Sequence, residues 1–266
     1  MQQLSLAYKS SFIHYYVFGR GAKTLFCFHG YGEDGNSFAF LESHLCSVYT
    51  LYALDFPVHG KTQWNEKEPF TPADLIAILQ LIHPYDNIKF SLLAYSMGGR
   101  AALHLIQEIP MQIEQVALVA PDGLHQNIWY RITTQTSVGN KVFAYTMNKP
   151  RWFFSVAGAG GQLKILNKSI LKFVHYYLDD EEQRSLLYKR WTFMRKLKPN
   201  LAAIKKLCVE KNIKLGFLFG DYDRIILSKR AGIFRNTKNI HIKVINAGHQ
   251  LMKEKYANEI VALLNH

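Results

Sequence analysis

Ile88-Lys89-Phe90-Ser91-Leu92-Leu93-Ala94-Tyr95-Ser96-Met97-Gly98-Gly99-Arg100-Ala101-Ala102-Leu103-His104-Leu105-Ile106 is the stretch on which the fold turns. Residues 88–94 are apolar enough for a central parallel strand covered on both faces. Residues 101–109 carry apolar side chains at helical spacing and stop before Pro110. The chain must therefore pass from strand to helix through Tyr95, Ser96, Met97, Gly98 and Gly99. Small residues on both sides let the backbone make that sharp turn, which pushes Ser96 out at the carboxyl edge of a sheet.

Working outward, residues 4–10 and 12–18 read as two tightly joined strands, and 24–28 as a short buried strand. A helix is expected at 38–46 and a strand at 48–54. Thr71, Pro72 and Asp74 then supply an N-cap, a first helical residue and a capping-box acid for a helix reaching about His83. Residues 116–120 and 214–219 repeat the buried-strand pattern. Residues 240–245 alternate and lead into an amphipathic helix expected at 250–264. Strands alternating with helices predict an α/β protein with a mostly parallel sheet.

Between 125 and 208 the strand signal vanishes, and the residues suggest three or four helices broken at 157–161 and at Pro199. This segment holds 15 Lys and Arg against four acids, Asp179, Asp180, Glu181 and Glu182. It thus carries +11 of the formal +12 and leaves +1 for the rest. It also holds 13 aromatics, with Trp129, Trp152 and Trp191 among them. The expected organisation is a core at 1–124 and 209–266 with a helical insertion at 125–208.

With 266 residues, 48% of them hydrophobic, the chain is long enough for a sizeable core. A charge of +12 admits nucleic acid, a membrane surface or an anionic substrate as partner. No apolar run approaches the roughly 20 residues that span a bilayer, so no transmembrane segment is expected. The N-terminus lacks the pattern of a signal peptide, and the cytoplasm is the expected compartment. Cys27, Cys46 and Cys208 show no CxxC spacing, which argues against a disulfide framework or a cysteine zinc site. No HExxH or P-loop occurs, and no metal and no cofactor are expected. The basic residues are dispersed through aromatic helices, unlike a nucleic-acid-binding arm. Peripheral membrane contact through the basic aromatic insertion stays open.

A serine hydroxyl is a weak nucleophile at neutral pH and needs a base oriented by a carboxylate. Both types follow in order. Asp221 and Asp223 come after the strand ending at Phe219-Gly220, and His249 follows the last strand in Asn246-Ala247-Gly248-His249. Singly, each has an ordinary reading as a turn, loop or surface residue. Their joint order, each just after an expected strand, points to a Ser-His-Asp arrangement.

With His29-Gly30-Tyr31-Gly32 after the strand at 24–28 and Asp55-Phe56-Pro57-Val58-His59-Gly60 after that at 48–54, the chain resembles the α/β-hydrolase superfamily. The resemblance implies an eight-stranded, mostly parallel sheet flanked by helices, with 125–208 as a helical cap over the nucleophile. It implies Ser96 as nucleophile, Asp223 as acid, His249 as base, and the backbone N–H groups of Tyr31 and Met97 as oxyanion hole. Asp223 fits the family's Gly-x-x-Asp spacing better than Asp221. The sequence departs from the family at Ala94, Val58 and Arg224, where Gly, Gly and Pro are usual. Ser at the elbow disfavours the Asp-nucleophile chemistry of dehalogenases and epoxide hydrolases.

The expected activity is that of a serine hydrolase acting on a carboxylic ester or thioester through an acyl-enzyme. A cationic aromatic cap suits an anionic small molecule or an acyl lipid at an anionic surface. Tyr95-Ser96-Met97-Gly98-Gly99-Arg100 is also similar to the elbow of the menaquinone-pathway SHCHC synthase, a lyase with the same triad, which implies substrate binding by Arg100. Ser-Met-Gly-Gly-Arg occurs in ordinary esterases too, where the arginine simply pairs at the helix N-terminus. A ligand- or partner-binding module on the same fold is the remaining alternative.

Overall fold

Eight strands hydrogen-bond into one sheet in this computed structural model, in the order β1-β2-β4-β3-β5-β6-β7-β8. The structure describes residues 1–84, 88–125, 128–152 and 179–265. β1 (Gln2–Tyr8) and β2 (Ser11–Phe18) form an antiparallel hairpin, and β2 also runs antiparallel to β4 (Tyr49–Leu54). β3 (Lys23–Phe28), β4, β5 (Phe90–Tyr95), β6 (Ile113–Val119), β7 (Lys214–Gly220) and β8 (Ile240–Ile245) run parallel to one another. All residues of β5 are buried, as its continuous apolar run predicts, whereas the alternating β8 lies at the sheet edge with no fully buried residue. The register pairs Phe28 with Ala94, Tyr95 with Val119 and Gly220 with Ile245. The loops that follow these strands consequently emerge along one edge.

α1 (Glu42–Leu45) and α8 (Ala257–Ala262) contribute Leu45 and Ile260 to a core cluster with Leu25, Leu51, Leu93 and Leu218. α3 (Gly98–Glu108) packs on β3, β5 and β6, with α2 (Pro72–Ile82) and α7 (Leu201–Glu210) beside it. The Thr71–Asp74 capping box opens α2 as expected. α3 starts at Gly98, before its apolar pattern, because its first turn runs against neighbouring backbone. A Cβ on Gly98 would sit 2.1 Å from the Phe28 carbonyl oxygen.

Two expected helices come out differently. The stretch expected as a helix at 38–46 is a 3-10 segment, Gly35–Leu41, followed by the single turn α1. Its start is tied down by the Gly35 N–H donating to Asp55 Oδ1 at 2.7 Å and by the Asp34 side chain capping Asn36. The helix expected at 250–264 is reduced to a 3-10 turn, Glu254–Tyr256, and α8. Leu251 is fully buried and its N–H donates to the His249 carbonyl, which draws the chain inward and delays the helix.

The chain divides into two compact units, Met1–His125 with Lys196–His266, and Gln126–Arg195. The insertion expected to reach Cys208 is therefore shorter as a compact body. α7 belongs to the sheet unit, where it packs on α3 with Ile204 and Cys208 buried, and the Asn200 N–H donates to Gln107 Oε1. The charge divides accordingly. The second unit holds 11 Lys and Arg against four acids, a surplus of 7, and the other 5 positive charges stay with the sheet. In the second unit, α4 (Ile128–Gln135), α5 (Ser137–Asn148) and α6 (Glu181–Phe193) pack around Phe143, whose ring lies 5.4 Å from Tyr188 and 5.6 Å from Trp191. The expected break at 157–161 lies outside the described residues. Among the described residues no helix is long and apolar enough to cross a membrane.

Candidate active site

Ser96 directly follows β5 at φ 47°, in the left-handed region where a residue with a Cβ is strained. Three backbone bonds hold it there. Its N–H donates to the Val119 carbonyl at 3.0 Å, and its own carbonyl accepts from Gly99 at 2.9 Å and Asp122 at 2.7 Å. The strained elbow is thus anchored to β6 on one side and to the first turn of α3 on the other.

Ser96 Oγ lies 3.0 Å from His249 Nε2, and His249 Nδ1 lies 2.7 Å from Asp223 Oδ2. Burial alone would push the Asp223 carboxyl up. Its bonds to His249 and to the N–H groups of Ile225 and Ile226 hold it instead below the ordinary aspartate range. An ionised carboxylate only accepts, so Nδ1 donates to it, which in the neutral imidazole leaves Nε2 as the acceptor facing Ser96. Gly220 makes the meeting of the two loops feasible, since a Cβ there would lie 2.3 Å from the Ala247 carbonyl oxygen. Asp221, the other acid weighed, is exposed, and its N–H continues the ladder to Ile245.

Met97 is the N-cap of α3, and its N–H has no acceptor among the described residues. Tyr31 sits inside a turn closed twice over. The Glu33 N–H donates to the Gly30 carbonyl at 3.3 Å, and the Gly30 N–H donates to Glu33 Oε2 at 3.2 Å. His29 ties this turn to the next loop, because its buried Nε2 accepts from the Phe56 N–H at 3.1 Å. Asp55, also buried, accepts from Gly35 and Lys61 and pairs with His14 Nδ1 at 2.8 Å. Val58, standing where the family has Gly, adopts φ 63° all the same. The turn keeps its left-handed shape and takes the strain of a β-branched side chain.

Two residues at the site escaped the sequence reading. Tyr95 O–H donates to the His249 carbonyl at 3.2 Å, and its ring lies 5.5 Å from the imidazole. Glu33 has its carboxyl raised above the ordinary range by burial, a shift opposed by the Gly30 N–H and by His249. Neither carries a local signal. Tyr95 reads as the residue that opens the strand-to-helix turn, and Glu33 as one polar residue in a Gly-Glu-Asp-Gly loop. Arg100 is placed at the start of α3 and makes a salt bridge to Asp122 Oδ2 at 2.6 Å. Among the described residues no group of His, Cys, Asp and Glu could hold a metal ion.

A family model described as alpha/beta hydrolase fold matches residues 23–234, and the chain belongs to that family. Its members include hydrolytic enzymes such as esterases. The chain is similar to the dihydrolipoyllysine-residue acetyltransferase component of the acetoin cleaving system of Cupriavidus necator. They share 32% identity over 106 residues, 40% of this chain and 28% of that protein. It is also similar to the pimeloyl-(acyl-carrier protein) methyl ester esterase of Chromobacterium violaceum, 26% identical over 113 residues, 41% of this chain and 42% of that one. Each match spans less than half of the relative's own length. Among solved structures, a hydrolase from Pseudomonas aeruginosa PA01 superposes with a TM-score of 0.68 over 99% of this chain and 98% of its own, at 14% identity. That likeness is one of fold alone.

Proposed function

We propose that the protein is a serine hydrolase that cleaves a carboxylic ester or thioester through an acyl-enzyme. The observation that carries this reading is the unbroken hydrogen-bonded series from Ser96 Oγ through His249 to Asp223. Ser96 Oγ attacks the acyl carbonyl carbon while its proton passes to His249 Nε2, and Asp223 stabilises the imidazolium that forms. The negative charge gathers on the former carbonyl oxygen, where the N–H groups of Met97 and Tyr31 receive it. Removing one such donor typically slows turnover on the order of 100-fold or more. The imidazolium then gives its proton to the departing alkoxide or thiolate. Water, deprotonated by the same imidazole, attacks the acyl-enzyme and releases the acid with Ser96 restored.

The resemblance to an esterase acting on a methyl ester supports the ester class. The second unit, inserted after β6 in the chain, would be the cap that selects among acyl groups. The lyase alternative asks Arg100 to bind a polyanionic substrate. Its salt bridge to Asp122 instead supports a structural task, bracing the α3 start against the loop after β6. The test is covalent labelling with a fluorophosphonate, read by intact mass, beside turnover of p-nitrophenyl esters and acyl thioesters. Wild type should gain one label and Ser96→Ala none. Equal labelling of the two proteins would overturn the nucleophile assignment.

A further inference from the structure

Helix α5 is apolar on two sides. Phe143 and Met147 are buried beside α6, while Val138, Val142 and Tyr145 form a second row at helical spacing that is exposed, Val138 by 72%. Ile128 and Ile132, one turn apart on α4, are exposed as well. These five are all the exposed large hydrophobic residues described in the second unit. The two helices are tightly joined: Thr136 caps α5, and a Cβ on Gly139 would lie 2.1 Å from the Ile132 carbonyl oxygen. Isolated exposed apolar residues are ordinary on a protein surface, but two rows on one hairpin ask for a cover.

The charges around these rows say what the cover is. Residues 128–152 contain Arg131, Lys141, Lys149 and Arg151 and not one acid. Lys149 Nζ stands 6.0 Å from the Tyr145 ring centroid, and Tyr145 lies 6.0 Å from Trp152. An open groove of about 750 Å³ beside Tyr145 is bordered by Lys149, Arg151 and Arg184, with Asp179 as its acid. A second copy of the same hairpin would bring like charges together. Aliphatic rows interleaved with cations, with Tyr and Trp at the rim, match a helix pair lying in the headgroup layer of an anionic bilayer.

We propose that the α4–α5 hairpin docks on an anionic phospholipid surface, its exposed aliphatic rows entering the headgroup layer and its lysines and arginines meeting lipid phosphates. The docking is independent of the hydrolase reading. It is tested by flotation of the full chain with vesicles of phosphatidylcholine alone or with about a third phosphatidylglycerol. Binding should require phosphatidylglycerol and weaken in high salt. Lys141→Glu and Lys149→Glu should each lower it at least about fivefold, as expected for losing one near-surface cation. Val138→Glu with Val142→Glu should abolish it, and Ser96→Ala should bind like wild type.

Met111→Glu with Val209→Glu, exposed positions on the sheet unit, adds the same charge elsewhere and should bind more tightly than the Val138/Val142 pair. Circular dichroism melting checks that each variant is folded, and if the valine pair is not, the lysine variants decide. Equal binding to both vesicle types, binding to neither, or equal losses in the sheet-unit control would each overturn the proposal. So would capture by soluble polyglutamate without vesicle binding, which would mark the surface as one for an acidic protein.

Discussion

Glu33 lies in surroundings that its neighbours in the chain do not suggest. Burial raises its carboxyl above the ordinary value near about 4.3. In the folded protein it therefore holds its proton to higher pH than in the unfolded chain. Its charged form weakens the fold at neutral pH, and the effect disappears below the ordinary glutamate value. Glu33→Gln keeps an acceptor for the Gly30 N–H and removes that charge. Its melting temperature relative to wild type should rise as pH climbs from about 4 through the raised value. A difference that stays constant with pH would show that Glu33 is not held in the environment described. Legibility at this scale was uneven. Ser96, Asp223 and His249 stand out in the sequence because each lies within a few residues after a strand, whereas Glu33 and Tyr95 matter only through groups brought to them by other loops.

Among the elements, the junction of β5 and α3 is the most tightly specified. Gly98 faces the Phe28 carbonyl with no room for a methyl group, and Gly99 lies against Pro121. Gly98→Ala should lower stability by about 1–3 kcal/mol, as overpacking does elsewhere. It should also slow phosphonate labelling of Ser96, because the end of β3 that leads to His29 and Tyr31 must shift. Urea unfolding beside labelling kinetics checks both, and unchanged labelling would separate the strand end from the site. This junction was legible because apolar run, small residues and helical spacing are all local. The C-terminal helix is shorter than its pattern predicts because 250–264 is amphipathic throughout, while burial of Leu251 against the core shortens the helix from outside. For want of a strand signal the sequence groups α7 with the insertion, and only its packing on α3 assigns it to the sheet unit.

Across the whole molecule, the sheet unit holds groups that answer acidification in opposite directions: burial keeps the His104 imidazole below its ordinary value, so its protonation costs stability in the range where Glu33 returns some. Protonation of Glu33 first relieves its buried charge. Asp223 and Asp74 respond the other way. Burial would raise both, but the bonds from His249, Ile225 and Ile226 to Asp223, and from Lys9, Thr71 and Tyr8 to Asp74, hold them low. Their contributions are fully present above the ordinary aspartate value of about 3.9 and are lost as pH falls through the lower folded values. Urea midpoints should fall steeply once the aspartates protonate, and above about pH 4 those of Glu33→Gln should lose more on acidification than wild type, which regains stability as Glu33 takes up its proton. Midpoints of variant and wild type that run parallel over that range would contradict the role given to Glu33. Charge changed meaning at this scale too. The +11 assigned to 125–208 becomes +7 on the second unit, and what distinguishes that unit is the placement of its cations among exposed aliphatic rows.

By itself the sequence determined the class of fold, the strand-to-helix turn at Ser96 and the order Ser96, Asp223, His249, because these depend on local periodicity, turn chemistry and chain order. Only the tertiary structure decided which carboxylate reaches His249, that Arg100 is taken up by Asp122, and that Glu33 lies buried beside the Gly30 turn. The tertiary structure likewise decided where the inserted unit ends and which of its apolar rows stays uncovered. Each of these follows from contacts between segments distant in the chain, and no pattern within a single segment records what the fold will bring against it.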